Sequence, residues 1–378
     1  MKKPVYMDYA ATTPVDPRVI EKMVAQLKNN FGNAEAHTHS YGKEAKAAID
    51  EARKHVANLL NAEPTEIIWT SGATEGINLA LKGAAQLYQR KGKHIITWQT
   101  EHKAVLATCE QLEKSGFDVS YLKPSANGQV DEEEFLNALR PDTILVCLMH
   151  LNNETGIIQN IASIAEFTAA RDILFHVDAA QSQGKLPIDV NIIAADLITL
   201  SAHKIYGPKG VGALYARRKP RVRVAAQIHG GGHEQGMRSG TLPTHQIVGM
   251  GEACKIAKAE MQADEKKLHK LRARFLEKIS SIENYLVNDF GSRCYPGILN
   301  LQFPTIKSDK LLAALPDVAF AAGSACNSKG VEPSYVLRAL GLTMSAAASS
   351  VRFSFGRFTT EEEIDYVAGA LVGAVPVE

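Results

Sequence analysis

The chain is 378 residues long, enough for two domains and a well-buried core, and its 42 Lys+Arg against 41 Asp+Glu leave a formal net charge of +1. With no block of like charge, that balance argues against a polyanion-binding tail or a membrane-surface patch and directs attention to small-molecule chemistry. Hydrophobic residues make up 45%, yet no apolar stretch reaches the roughly 18 residues of a membrane span. Asp8 interrupts any signal-peptide run, so export is not expected. Cys109, Cys147, Cys254, Cys294 and Cys326 are odd in number and nowhere at C-x-x-C spacing. Neither a disulfide framework nor a zinc knuckle is indicated, and a reducing cytoplasm fits best.

From about residue 66 to 215, short apolar runs alternate with longer segments of helical periodicity. EIIWT is followed by a helix from Thr74, HIITW by a helix from His102, DVSYL by DEEEFLNAL, and TILVCLM by IASIAEFTAA, with ILFHV and DLITL closing the series. This alternation predicts parallel strands joined by crossover helices, an open α/β sheet. Functional residues of such sheets gather at the carboxyl ends of the strands. That rule singles out SGATE, TEH, NNETG, DAAQ and SAHK. After SAHK, the cluster of Gly207, Pro208, Gly210 and Gly212 predicts a rigid, turn-rich loop. Beyond Gly240 a charge-rich helical stretch, about 244 to 282, bridges to a second unit. That unit comprises ILNLQF, DKLLAAL, VAFAA, PSYVLRALG, SVRFSF and a closing helix from about Thr360.

Lys204 follows the apolar run DLITL and stands where a strand delivers its last side chains. Such a lysine is a phosphate ligand, a salt-bridge partner or a Schiff-base nucleophile, and Asp178, at the end of a neighbouring strand, favours the last. A buried carboxylate keeps a pyridine nitrogen protonated, which makes pyridoxal phosphate an electron sink. Taken alone, Asp178 is as readily a loop cap. Ser71, Gly72, Ala73 and Thr74 precede a helix and offer donors to a phosphate, although an ordinary N-cap with Glu75 in the first turn reads the same way. Ser201 and His203 flank the lysine as further donors to the same phosphate, and His102 occupies a third loop, where an imidazole can shuttle protons, although taken alone it reads as structural.

His37 and His39 lack a third ligand, so they are read as loop residues and no metal is expected. Cys109, Cys147 and Cys254 lie in apolar patterns and read as packing residues, while Cys294 is a loop thiol. Cys326 differs. Gly323, Ser324, Asn327, Ser328 and Gly330 surround it, a setting that suits a nucleophile.

In order along the chain, YMDYAATTP, SGATE, EH, NNETG, HVDAAQ, SAHKIYGPKGVG, GGGHEQGMRSGT, GSAC and SVRFSFGRFT resemble the pyridoxal-phosphate-dependent cysteine desulfurases of the IscS/NifS type, in the class-V aminotransferase family. The resemblance covers essentially the whole chain. It implies the α/β fold type I of such transferases: a large domain, residues 16–257, with a mostly parallel central sheet flanked by helices, and a smaller α+β domain, residues 1–15 and 258–378, carrying the Cys326 loop.

The resemblance also implies roles. Lys204 would hold the cofactor covalently and Asp178 would pair with its ring nitrogen, while Gln181 and Asn153 would surround its phenolic oxygen and the substrate. His102 would stack on the ring as acid and base. Thr74, Ser201 and His203 would hold the phosphate, with Thr241 reaching in from the second subunit of a homodimer. Arg352 would clamp the substrate carboxylate with its bidentate fork, Asn33 assisting. Cys326 would take the sulfur of L-cysteine as a persulfide, leave alanine, and pass the sulfur to an acceptor such as an iron–sulfur scaffold or a tRNA-thiolation enzyme. No membrane and no direct nucleic-acid contact is expected.

Two features depart from the family pattern. Ala34, Glu35 and Ala36 replace its usual proline-serine-serine after Asn33, which changes the entrance loop. The chain also stops at VGAVPVE, where scaffold-serving members usually extend further, so scaffold docking is the least secure expectation. Selenocysteine lyase or another enzyme of the same fold is the alternative reading. A non-catalytic docking platform would have no use for Lys204, Asp178, His102, Cys326 and Arg352 together.

Overall fold

The computed structural model describes residues 3–322 and 333–375. A two-residue strand, β1 (Val5–Tyr6), leads to helices α1 (Pro17–Asn29) and α2 (Ser40–Leu60). Asp16 caps α1 by accepting from the Arg18 amide, with Pro17 opening the first turn. His39 caps α2, its Nδ1 accepting from the Gly42 amide at 3.3 Å. One histidine of the HTHS pair therefore has a local structural task, and among the described residues no His/Cys/Asp/Glu cluster could hold a metal ion.

The central sheet follows as β2 (Ile67–Thr70), α3 (Ala73–Tyr88), β3 (His94–Trp98), α4 (Lys103–Lys114), β4 (Asp118–Leu122), α5 (Glu132–Ala138), β5 (Thr143–Met149), α6 (Ile161–Ala169), β6 (Leu174–Asp178), β7 (Leu197–Ser201) and β8 (Gly212–Ala216). Its strand order is β2-β8-β7-β6-β5-β3-β4. Every pairing among β3 to β7 is parallel, while β8 runs antiparallel to both β7 and β2. The expected α/β architecture is present with one correction, since GALYA is a strand inserted between β7 and β2 rather than a continuation of the loop. Glycine makes the insertion possible: a Cβ on Gly212 would lie 2.5 Å from the Leu200 carbonyl oxygen and 2.7 Å from Gly72 Cα.

Continuous apolar runs form these strands because both faces of the sheet are covered. In β5, Val146 and Leu148 join a core with Trp98, Phe175 and Ile198, while Leu145 and Cys147 join the opposite one with Ile95, Leu174 and Leu197. Helix α7 (Thr244–Lys278), 35 residues long, ends a few residues before the expected boundary. Ile247, Met250 and Cys254 near its start pack into the first core, and Leu268, Leu271 and Phe275 belong to a separate one.

That separate core is completed by β9 (Leu286–Val287), β10 (Ile298–Gln302), α8 (Ser308–Ala314), β11 (Val318–Ala319), β12 (Ala321–Ala322), β13 (Ser350–Ser354) and α11 (Glu361–Ala374), with the short helices α9 (Tyr335–Ala339) and α10 (Met344–Ala348) preceding β13. A capping box between Thr360 and Glu363 starts α11 where the sequence places it. Strands β12-β13-β10-β9 form an antiparallel sheet, and β1 pairs with β11, which brings Met7 and Ala10 to the same core. Among the described residues no helix is long and apolar enough to cross a membrane.

Candidate active site

The carboxyl ends of β2, β3, β5, β6 and β7 converge on one cavity of about 530 Å³. From β2, the chain passes through Ser71 and Gly72 into α3. Gly72 has φ 154° and ψ −177°, a conformation open essentially to glycine alone. As the N-cap it gives the first amides of α3 no side-chain acceptor, which leaves a site suited to an anion. Glu75 is held elsewhere, by Arg238 Nε and the Ser71 amide, each at 2.8 Å. Thr74, in the same turn, lines the cavity.

Beyond β3, His102 caps α4, its Nδ1 accepting from the Ala104 amide at 3.1 Å. Burial pushes its pKa down and the neighbouring Lys204 and Lys103 add to the effect, against the opposing pull of Asp178. The ring is therefore neutral at pH 7. Asp178 ends β6 and is 4% exposed, its Oδ1 accepting from the Ala180 amide at 2.9 Å. Burial raises its carboxyl pKa in spite of that hydrogen bond and the nearby His102 and Lys204. A carboxylate so enclosed gains from a cationic N–H donor.

Strand β7 delivers Ser201, and a single 3₁₀ turn, Ala202–Lys204, carries His203 and Lys204. The Ser201 hydroxyl is buried and has no hydrogen-bond partner among the described residues. His203 Nδ1 lies 3.1 Å from Thr12 Oγ1. Burial, with Lys204, Lys209 and Lys185 nearby, lowers the His203 pKa to about 4. Lys204 Nζ donates to the carbonyl oxygens of Ala10 and Ala11, at 2.6 and 2.8 Å. The YAAT segment at the amino end thus meets the lysine across the cavity.

Gln181 Nε2 donates to the same Ala10 oxygen at 2.6 Å. The Asn153 carbonyl accepts from Arg352 Nη1 at 2.7 Å, and Arg352 Nη2 pairs with Asp8 Oδ1 at 2.6 Å. Arg352 Nε is buried without a hydrogen-bond partner among the described residues. Of the other residues singled out in the sequence, Asn33 and Thr241 are exposed and do not line this cavity, Asn33 Oδ1 accepting from the Glu35 amide. Cys326 lies outside the described residues. Cys109, Cys147 and Cys254 are buried and Cys294 is half-buried, and burial raises the pKa of all four thiols.

Three neighbours escaped the sequence reading. Glu154 lines the cavity with Ser334 donating to its carboxylate, and Tyr335 lines it while its hydroxyl donates to the Glu101 carbonyl at 2.7 Å. Lys185 holds Gln181 from behind, Nζ to Oε1 at 2.8 Å. Its signal was the four-residue spacing from Gln181 in QSQGK; the other two depend on contacts between distant segments that no local pattern encodes.

Against this donor set pyridoxal phosphate fits. The uncapped amides of α3 and the orphaned Ser201 hydroxyl would suit its phosphate, Asp178 its ring nitrogen and Lys204 its aldehyde. A model of the family described as aminotransferase class-V matches residues 5–367. The chain is 58% identical over 368 residues to a cysteine desulfurase IscS of Enterobacter sp. (strain 638), covering 97% of this chain and 91% of the relative. It is 57% identical over 378 residues to a cysteine desulfurase IscS of Shewanella amazonensis, covering 99% and 93%. Among solved structures, a NifS-like protein superposes with a TM-score of 0.91 at 35% identity, covering 98% of both chains. SspA in complex with cysteine gives 0.83 at 38% identity, covering 94% of this chain and 99% of that one.

Proposed function

Because the chain belongs to the class-V aminotransferase family and, within it, to the pyridoxal-phosphate-dependent cysteine desulfurases, we propose that it moves the sulfur of L-cysteine onto Cys326 and releases L-alanine. One observation carries this reading: Lys204, Asp178 and Arg352 surround a single cavity beside an uncapped helix N-terminus. When bound, pyridoxal phosphate supplies an electron sink conjugated to the substrate's Cα.

The chain's own residues supply the rest. Lys204, which donates to the Ala10 and Ala11 carbonyls in this structure, would hold the cofactor. Asp178 holds the ring nitrogen's proton, and Ser201, Thr74 and His203 receive the phosphate. His102 accepts a backbone N–H at Nδ1, so in its neutral form it carries its proton on Nε2, the atom through which it donates. Gln181 and Asn153 orient the ring edge and the substrate. Arg352 offers its remaining N–H groups, Nε among them, to the substrate carboxylate. At Cys326 an S–S bond forms as the substrate's Cβ–S bond breaks, and the electron pair left on carbon takes up a proton to give alanine.

The persulfide on Cys326 then serves acceptor proteins, an iron–sulfur scaffold first and a tRNA-thiolation enzyme second. This reading takes the chain as a cytoplasmic homodimer in which Thr241 completes the partner's phosphate site and Asn33 meets the substrate. It takes residues 16–257 as the large domain, with 1–15 and 258–378 as the small one. L-Cysteine supplied to the holoenzyme with a reductant should yield alanine and sulfide, and Cys326→Ala should abolish both while keeping the bound cofactor's colour. Equal release from the two proteins would overturn the assignment.

A further inference from the structure

Lys185 belongs to no part of the chemistry described above, yet it is bound into the site. Its Nζ donates to Gln181 Oε1 at 2.8 Å and lies 5.8 Å from the centre of the Tyr295 ring. Gln181 is 5% exposed, and its Nε2 donates to the Ala10 oxygen, which also accepts from Lys204 Nζ. A continuous chain of hydrogen bonds therefore runs from Lys185 through the Gln181 amide to the carbonyl that holds Lys204.

We propose that Lys185 is a positioning residue for the reaction, locking the Gln181 amide in one orientation so that it presents N–H, never C=O, to the cavity. The reason is electrostatic and geometric. A flipped amide would set Nε2 against the Lys185 ammonium and Oε1 against the Ala10 carbonyl, two donor–donor and acceptor–acceptor contacts in place of two hydrogen bonds. An amide in this site without such a lock has two orientations, one of which turns an acceptor toward an electron-rich oxygen on the occupant. Burial, with Lys204 and Arg352 nearby, lowers the Lys185 pKa to about 7. The uncharged amine can donate to Oε1 or accept from Nε2, so the ammonium form sets the lock at this end, while the Ala10 carbonyl accepts only and acts at every pH.

This inference rests on the cofactor reading above, and its test separates the two. The holoenzyme, Lys185→Met, Gln181→Met and the double variant are compared by the visible absorption of bound pyridoxal phosphate across neutral to alkaline pH, and by kcat and KM for L-cysteine. Lys185→Met should shift the spectral midpoint in the same direction as Gln181→Met. It should lower kcat about tenfold with KM within about twofold, and the double variant should be no worse than the worse single one. An unchanged spectrum and rate in Lys185→Met, or two effects that multiply, would overturn the proposal. Lys185→Gln, polar but too short to reach Gln181, is read the same way should the methionine variant fail to accumulate. A holoenzyme that binds the cofactor but releases no alanine would defeat the desulfuration reading, while the spectral coupling would still decide the role of Lys185.

Discussion

His176, inside a strand of the central sheet, and His102, beyond the end of another, answer opposite demands. His176 lies inside β6, its Nδ1 3.0 Å from Cys147 Sγ and its Nε2 2.8 Å from Thr199 Oγ1. By distance alone, Cys147 and His176 resemble an activated thiol and its base. Burial reverses that: it pushes the Cys147 thiol well up and the His176 imidazole down to about 3, so both are neutral. They also lie outside the lining of the cavity. His102, beyond a strand end, opens into the cavity with Asp178 and Lys204. Inside β6 the His176 ring satisfies both of its nitrogens within the core. At the strand ends partners come from several elements, and the Ser201 hydroxyl, at the end of β7, has none among the described residues. In this fold, position along the strand separates chemistry from packing better than pair distance does.

The comparison can be broken at its rim first. Asp178→Asn keeps the acceptor for the Ala180 amide and removes the charge, so kcat should fall roughly 10²- to 10³-fold. The melting temperature should hold or rise, because burial of the ionised carboxyl is relieved. Unchanged turnover would show that the rim carboxylate is a loop cap after all. Arg352→Ala should lower kcat/KM for L-cysteine by roughly 10²-fold, mostly through KM, since a buried fork for the substrate carboxylate is lost. A loss confined to kcat would place Arg352 with the reacting atoms instead.

Inside the sheet the expected effects are smaller and concern folding. The folded pKa of His176 lies below its ordinary 6.5, so the unfolded chain binds the extra proton. Stability from its neutral ring is complete above that value and is lost as pH falls toward about 3. His150 and His203, each lowered to about 4, act with the same sign. Buried carboxyls such as Asp178 and Glu101, whose pKa burial raises, act with the opposite sign, so the histidine contribution is read by difference: melting temperature should fall less on acidification in His176→Gln than in the parent, and identical profiles would contradict this account of the interior histidines. Smallest of all, Cys147→Ala should leave alanine release within about twofold of the parent and cost on the order of 1–2 kcal/mol of stability, the loss of a small buried side chain and its hydrogen bond. A loss of activity comparable to that of Asp178→Asn would move the chemistry into the sheet.

Much of this was legible in the sequence because the strands are buried on both faces. TILVCLM reads as a strand from its unbroken apolar run, and its rim follows at the next polar residues. The α3 terminus was legible as Gly72 with Thr74 and Glu75, although nothing local tells a capped helix from an open anion site. GALYA was missed because glycine and proline before it signal a turn, while its strand character comes from fitting between β7 and β2. The ties of Arg352 to Asp8 and Asn153, and of Lys204 to Ala10 and Ala11, join segments more than a hundred residues apart. No periodicity reports such contacts.

We assign the covalent bond to the cofactor to Lys204, just past the end of β7, rather than to Lys185 behind it. Reducing the holoenzyme with borohydride and locating the pyridoxyl group by peptide mass spectrometry tests that directly. Label on Lys204 is the predicted result. Label on Lys185 or on another lysine, or no label on a holoenzyme that is coloured, would contradict the account.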